Sequence, residues 1–337
     1  MPEGLNTVVP QEMVTVEVPL NNDATSISIA PNTLNLGDNR RFAGEDLMQG
    51  KPALSQGDTL TPAALGLVAS LGLPSVTVFR KLRVAYFSTG DEILSLGQAP
   101  REGAVYDSNR YTVFGLLTRM GCEVIDMGVV RDEPALLEAA FIQAASTADA
   151  IITSGGVSVG EADYTRAMMK KLGADSGGVA FWRIAMRPGR PMAVGRITAK
   201  NMAKSDSSQR DNCLDCYENN SAILFGLPGN PVAVMVTFLA FVRPALLRMM
   251  GANAKPLPLL KAISLEPIRK KPGRTEYQRG IVTTQADGSL QVKTTGNQGS
   301  GVLSSMSQAN GLIVLHHDQS SVNVGDAVDV MMFEGVI

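Results

Sequence analysis

The sequence predicts an α/β fold: a three-layer α/β/α domain, then a small all-β domain, with a short β-rich and linker segment ahead of both. Three observations carry this. From residue 82 to residue 251, apolar runs of strand length alternate with helical patterns of about ten residues or more, as in βαβ units. After Pro256 the helical patterns stop, and "RTEYQRGIVTT", "SLQVKTT", "GLIVLHH" and "DAVDVMMF" alternate apolar with polar residues. Ahead of Asp46, the pattern is short alternating stretches broken by Asn, Asp and Pro.

Residues 1–45 therefore read as the remnant of a β-rich domain. Residues 46–77 read as a linker with one helix, "LTPAALGLVASLG", capped by Thr61 with Pro62 at its first position. The α/β domain is expected over 78–253. Its strands are "LRVAYF", "CEVIDMGVV", "ADAIITS", "AVGRI" and "AILFGLPG". Its helices are "DSNRYTVFGLLTRMG", "EPALLEAAFIQAAS", residues 161–172 and the strongly apolar "NPVAVMVTFLAFVRPALLRMMG". This alternation predicts a parallel sheet with helices on both faces. Residues 198–221 are polar and without period, a surface insert. The β domain is expected over 255–337, with Asp287-Gly288 as a hairpin signal. No internal repeat is present.

Composition excludes several functions. With 30 basic and 32 acidic residues, a net charge of −2 leaves no footprint for nucleic acid. "RKK" at 269–271 reads as a solvated loop rather than a patch. Three cysteines exclude a disulfide framework, and Cys213 and Cys216 form a lone CxxC that predicts no zinc site without a second pair. No run of about 18 apolar residues predicts a membrane span, and the opening residues lack a leader pattern. The expectation is a cytoplasmic protein without a membrane partner.

The chemistry sits in the loops after the strands: "STGDE", "RDEP", "TSGGVSVGEAD" and "GLPGNP". In an open parallel sheet the carboxyl ends of the strands line the ligand crevice. Gly155 and Gly156 let backbone N–H groups approach an anion, Ser154 and Ser158 add hydroxyl donors, and a helix N-terminus follows. Pro228, Gly229, Asn230 and Pro231 repeat the arrangement, with Asn230 as a helix cap. These loops suit a phosphate or a larger oxyanion. The nearby carboxylates Asp91, Glu92, Asp132, Glu161 and Asp163 would repel it unless a hard cation, magnesium, lies between. Arg187 and Arg190 in "RPGRP" offer guanidinium forks. Arg274, Arg279 and the "GNQGSG" loop add donors if the β domain folds over the crevice. The two histidines, His316 and His317, are adjacent in a strand pattern and point to opposite faces, so they form no joint acid–base site. Neither GxxxxGK[ST] nor a strand-following GxGxxG occurs, which disfavours a P-loop or NAD site.

"STGDEI", "YDSN", "GCEVIDMGVVRDEP", "IITSGGVSVGEADYT", "FGLPGNPVAVMVTF" and "TTGNQGSGVLSSM", in this order, resemble the molybdopterin molybdenumtransferase family, which includes the E domain of gephyrin-type proteins. The resemblance implies a molybdopterin-binding α/β domain and insertion of molybdate into adenylyl-molybdopterin with release of AMP. It further implies Mg2+ as cofactor, a homodimer, and a molybdopterin adenylyltransferase as partner. Carried over motif by motif, it places Asp46, Glu92, Asp107, Asp132 and Asp163 in the reaction, with Asp46, Asp107 and Asp163 at magnesium. It places Ser88, Thr89, Gly90, Ser108, Asn109, Ser154, Gly155, Gly156 and Ser158 on the pterin phosphate side, with residues 228–231. Arg187, Arg190, Arg274 and Ser300 would hold molybdate. The chain departs from the family in carrying "RPGRP" for "KPGKP", Ala233 for a serine, and the polar insert. It also starts inside the family pattern, so an opening segment and most of a second domain are expected to be missing. Two alternatives stay open: an adenylyltransferase of related fold, which the β domain argues against, and a non-catalytic molybdopterin-binding scaffold.

Overall fold

A threonine followed by a proline starts the first helix of the computed structural model, which describes residues 1–17, 26–157, 164–174, 177–199 and 221–335. The chain divides into two units, Met1–Pro74 and Ser75–Ile337. In the first, β1 (Thr15–Glu17) pairs antiparallel with β2 (Ser26–Ser28), and both are exposed. Helix α1 (Pro62–Ser70) begins where Thr61 accepts the Ala64 N–H at 3.2 Å, with Pro62 at the position where a missing N–H costs nothing.

The second unit is built on a six-stranded sheet of order β6-β3-β7-β11-β10-β8. Its strands are β3 (Arg83–Thr89), β6 (Glu123–Val130), β7 (Ala150–Ser154), β8 (Val179–Arg183), β10 (Pro191–Thr198) and β11 (Ser221–Leu227). Two short strands, β4 (Ile93–Leu94) and β5 (Val105–Tyr106), pair beside it. The strands β6, β3, β7 and β11 are mutually parallel, as expected. At one edge the expectation fails: β10 runs antiparallel to both β11 and β8, so the sheet is mixed. Short apolar runs carry no mark of direction, and the turn at residues 184–190 reverses the chain.

Strand residues alternate between two cores. Val84 and Tyr86 join Ile152 and Phe225 under α2 (Ser108–Arg119) and α5 (Pro231–Thr237). Ala85 and Phe87 join Ile151 and Leu224 under α3 (Pro134–Thr147) and α4 (Tyr164–Gly173). This period of two, with helices on both faces, is the three-layer arrangement. The expected long helix is present as α5, a π-helical turn over Phe238–Val242, and α6 (Arg243–Met249). By length and composition Pro231–Met249 could cross a membrane. Its apolarity is explained by packing, because Val232, Val234, Phe238, Val242 and Leu246 are fully or nearly fully buried.

The β domain contains β12 (Leu260–Ser264), β13 (Thr275–Thr284), β14 (Leu290–Thr294), the short helix α7 (Ser304–Gln308), β15 (Gly311–Leu315) and β16 (Ala327–Met332). Strand β14 pairs with both β12 and β13, which closes a small barrel. The Asp287-Gly288 turn joins β13 to β14 as expected. A two-residue strand from the α/β segment, β9 (Met186–Arg187), adds to the barrel's edge beside Thr275 and Glu276. The histidines depart from expectation: β15 ends at Leu315, and His316 lies beyond it, bonded to Asp329 at 2.6 Å. Lys270 is not solvated either. It is 6% exposed, and its ammonium donates to the carbonyls of Lys271, His317 and Gln319.

Asp149, just before β7, ties the sheet's amino edge together. Arg80 donates to both its oxygens at 2.7 Å, and the Arg83 N–H adds a bond at 2.9 Å. Burial pushes this carboxyl up, but the Arg80 fork and the Arg83 N–H outweigh it and hold the group below the usual aspartate range. A depressed folded pKa stabilises above the unfolded value of about 3.9 and is lost as pH falls through the folded one. Asp149→Asn should therefore cost about 1–2 kcal/mol at pH 7. Denaturant unfolding should find the difference shrinking as pH falls below about 3.9; a deficit that does not change with pH contradicts this account.

Candidate functional site

The four parallel strands bring their following loops to one rim, because Ser88 and Leu227 are both in register with Ser154, and Thr89 with Val130. The β4–β5 pair then returns the chain to this rim: Val105 N–H bonds Glu92 O, and Asp107 N–H bonds Leu94 O, each at 2.9 Å. Asp107 is thereby delivered beside β3. It accepts from Ser88 Oγ at 2.9 Å and, as the cap of α2, from the Arg110 N–H at 3.1 Å. Both bonds end on Oδ1; Oδ2 is buried with no hydrogen-bond partner among the described residues. Burial, partly offset by those two donors, raises the Asp107 carboxyl above its ordinary value. Arg110 gives its guanidinium to Asp126 at 2.8 Å.

Asn109 joins the rim's two ends, its amide donating to Gly229 O at 2.7 Å while its own Oδ1 is buried without a partner. The acidic loops are also linked. The Asp132 N–H bonds an Asp91 carboxylate oxygen at 3.3 Å, and Thr165 Oγ1 bonds Asp132 Oδ1 at 3.2 Å. Glu92 is exposed, its carboxylate folded against Gly90. Ser108 opens α2 and is half-buried.

Several expected donors are used otherwise. Ser88 and Ser154 are 1% and 3% exposed and bond one another at 3.1 Å, with the Tyr86 hydroxyl at 2.9 and 2.7 Å. Their hydroxyls face the core, not a ligand. The Gly155 N–H is spent on Leu227 O at 3.1 Å. Gly155 is required for space: at φ 92°, a β-carbon there would lie 2.5 Å from Thr89 O. Gly156 likewise leaves no room beside Thr165. Thr89 Oγ1 is buried and unbonded. Asn230 makes no side-chain cap bond, contrary to expectation; Pro231 at the first helical position lets α5 start without one. Pro228 is buried, and Gly229 and Asn230 are exposed at the rim.

The barrel meets the same rim. The Val232 N–H, in the first turn of α5, donates to Ser300 O at 3.1 Å. Arg279 holds that loop. It is 1% exposed and donates to Ser305 Oγ at 2.9 Å, Gly299 O at 2.9 Å and Asn297 O at 3.2 Å. Sequence reading placed it as a ligand donor; the structure makes it an internal brace. Burial, and the like charge of Arg187 nearby, lower its pKa. Arg187 and Arg190 are exposed, with no side-chain hydrogen bond or ion pair among the described residues. Arg187 sits opposite Glu276, and Arg274 bonds that buried carboxylate at 2.9 Å. A cavity of about 230 Å³ lies here, lined by Arg187, Arg269, Glu276, Gln278 and Arg279 among others; Arg190, Arg274 and Ser300 are outside its lining. A second, of about 440 Å³, opens between Gly90, Asp91, Arg101 and Arg131.

Several expected residues cannot be placed with these. Asp46 is exposed in the first unit, while Ser158 and Asp163, with Glu161, Cys213 and Cys216, lie outside the described residues. No group of three or more His, Cys, Asp or Glu side chains placed to hold a metal ion occurs among the described residues.

A rim of strand-end loops that carries a buried carboxylate and meets a small β barrel is where an open α/β sheet holds its ligand. The comparisons make the class specific. Residues 85–248 match the model of a probable molybdopterin binding domain, 261–333 the MoeA C-terminal region (domain IV), and 1–72 the MoeA N-terminal region (domain I and II). The chain is 39% identical over 339 residues to a molybdopterin molybdenumtransferase of Haemophilus influenzae, covering 100% of this chain and 76% of the relative. It is 33% identical to that of Nostoc sp., covering 98% and 70%. A solved molybdopterin biosynthesis moeA protein from Pyrococcus horikoshii OT3 superposes with a TM-score of 0.70 at 25% identity, covering 98% of this chain and 72% of that one. The chain belongs to the molybdopterin molybdenumtransferase family.

Substituting Gly155→Ala should cost about 1–3 kcal/mol, through both positive φ and the Thr89 carbonyl. Thermal unfolding of the variant checks this, and an unchanged midpoint would mean that the β7 loop is free to move.

Proposed function

We propose that the chain inserts molybdate into adenylylated molybdopterin and releases AMP, with the phosphate end of the substrate at the strand-end rim and molybdate near the barrel. The observation that carries the reading is the Ser300 loop bonded to the first turn of α5, which joins the barrel to the α/β rim. A two-part substrate with an anion at each end suits such a junction. Among the described residues, few groups present at the rim can exchange protons near neutrality, so rate enhancement rests on placement and charge neutralisation.

Magnesium fits the donor set in a limited way. Hard cations take oxygen ligands, and magnesium is commonly held by one or two carboxylates together with water and substrate phosphate. Asp107 Oδ2 and Asn109 Oδ1, both buried and unpartnered, are the oxygens that would serve among the described residues. When bound, the ion would neutralise phosphate charge beside the rim. Asp46 and Asp163 complete the proposed set. Arg187, Arg190, Arg274 and Ser300 are the proposed molybdate cradle. Glu92 and Asp132 would orient water or the metal's shell. A homodimer, and delivery of substrate by a molybdopterin adenylyltransferase, are proposed on the resemblance alone; light scattering after size-exclusion tests the first.

The test supplies purified protein with adenylyl-molybdopterin, magnesium and molybdate, and measures AMP. Arg190→Ala should raise the molybdate needed for half-maximal release by about tenfold. Unchanged molybdate dependence removes Arg190 from the cradle; consumption of MgATP with molybdopterin alone would favour an adenylyltransferase.

The raised pKa of Asp107 gives a pH signature. A protonated acid cannot hold a cation, so the magnesium requirement should rise as pH falls, with a midpoint above the usual value of about 3.9. The fold is affected in the opposite sense: a carboxyl raised by burial loses stability as pH rises through the same window. Asp107→Asn should abolish the pH-dependent part of the magnesium requirement. If the wild-type midpoint matches that of a surface aspartate, Asp107 is not the ligand.

A further inference from the structure

We propose that Tyr86 is a positioning residue for the reaction, anchoring a buried chain of hydroxyl bonds that ends on Asp107 and turns its second oxygen toward the ligand. Tyr86 lies on β3, 1% exposed, and touches no candidate ligand position itself. Its hydroxyl is 2.7 Å from Ser154 Oγ and 2.9 Å from Ser88 Oγ; the two serines are 3.1 Å apart. Ser88 is in turn 2.9 Å from Asp107 Oδ1.

Proton counting gives the chain a direction. An ionised carboxylate only accepts, so Ser88 spends its one proton on Asp107. Ser88 can then only accept from Tyr86 and Ser154. Three hydroxyl protons cannot fill all four contacts; the three shorter ones, at 2.7, 2.9 and 2.9 Å, are filled when the order is Ser154 to Tyr86 to Ser88 to Asp107. Burial pushes the Tyr86 phenol up, so it remains a donor throughout the working range. Bonds aligned in one direction polarise one another, and the terminal bond gains most. Together with the Arg110 N–H, this chain occupies Oδ1 from two sides. The carboxylate cannot rotate without breaking both bonds, and Oδ2, itself buried, has no hydrogen-bond partner among the described residues. The same chain fixes Ser154, the last residue before the Gly155-Gly156 turn.

The consequence for magnesium rests on the proposed role of Asp107; the chain itself does not, so two measurements are needed. Tyr86→Phe keeps the aromatic packing and removes only the donor. In the AMP-release assay it should raise the half-saturating magnesium about three- to tenfold, the loss of one net hydrogen bond, with kcat at saturating magnesium within about twofold. Ser154→Ala, which removes only the donor behind Tyr86, should have a smaller effect in the same direction, and the double variant should be no worse than Tyr86→Phe alone, since both cut one chain. Effects that multiply, or a kcat loss with an unchanged magnesium requirement, overturn the proposal.

The second measurement needs no turnover. The six tyrosines are labelled with 13C at the ζ carbon, and the Tyr86 signal is the one moved by Ser154→Ala. Asp107→Asn should move that signal too, although Asp107 does not touch Tyr86. A Tyr86 signal indifferent to Asp107→Asn overturns the chain even if Tyr86→Phe fails to fold. If the wild type releases no AMP but the signal still responds, the assigned reaction fails and the chain stands.

Discussion

The seating of the Pro231–Met249 segment between two sheets is the constraint on which the rim depends. Its buried face packs Phe225 and Leu227 on the α/β side, and the same core continues through Met306, Leu312, Val314 and Met331 of the barrel. Each such side chain contributes about 1.5–3 kcal/mol when fully buried, so the helix cannot shift without losing several at once. That fixes the direction of its first turn, where Val232 binds the Ser300 carbonyl. It also fixes Gly229, whose carbonyl holds Asn109 and therefore the start of α2. One apolar segment thus sets the spacing between the strand-end loops and the Ser300 loop of the barrel. The π turn at Phe238–Val242 is tolerated because both flanks are held by packing.

Much of this was legible in the sequence. The alternation of strands and helices gave the layers, and the recurrence of Gly, Ser and Asp after each strand gave the rim. What was not legible concerns partners distant in the chain. Ser154 reads as a ligand donor because it sits in a glycine-rich loop; only the parallel register with β3 brings Tyr86 and Ser88 against it. Arg279 reads as an oxyanion donor because it neighbours Arg274, yet strand alternation turns it inward to brace its own loop. Lys270 reads as solvated because lysine is rarely buried, and three carbonyls converging from two loops reverse that. Period and composition report on what a segment does locally. They are silent where a polar side chain is buried by tertiary pairing.

Two aspartates at opposite edges of the same sheet make the physical point. Asp149 is enclosed by a guanidinium fork and a backbone N–H, and its charge is matched. Asp107 is buried with donors on one oxygen only, and its charge is left partly uncompensated. A fold selected for stability alone would place a neutral or apolar side chain there, since burying an unmatched carboxylate is costly. Asparagine could still cap α2. On the proposed reading the ligand matches this carboxylate, and the surrounding geometry limits what that ligand is. The proposed partner would be positively charged or carry a strong donor, would approach from the side of Oδ2, and would share the rim with Gly229 and Gly156. A hydrated cation bridged to phosphate meets all three conditions. A free anion fails the first of them, so on the proposed reading Asp107, rather than the glycine loops, discriminates among ligands at this edge.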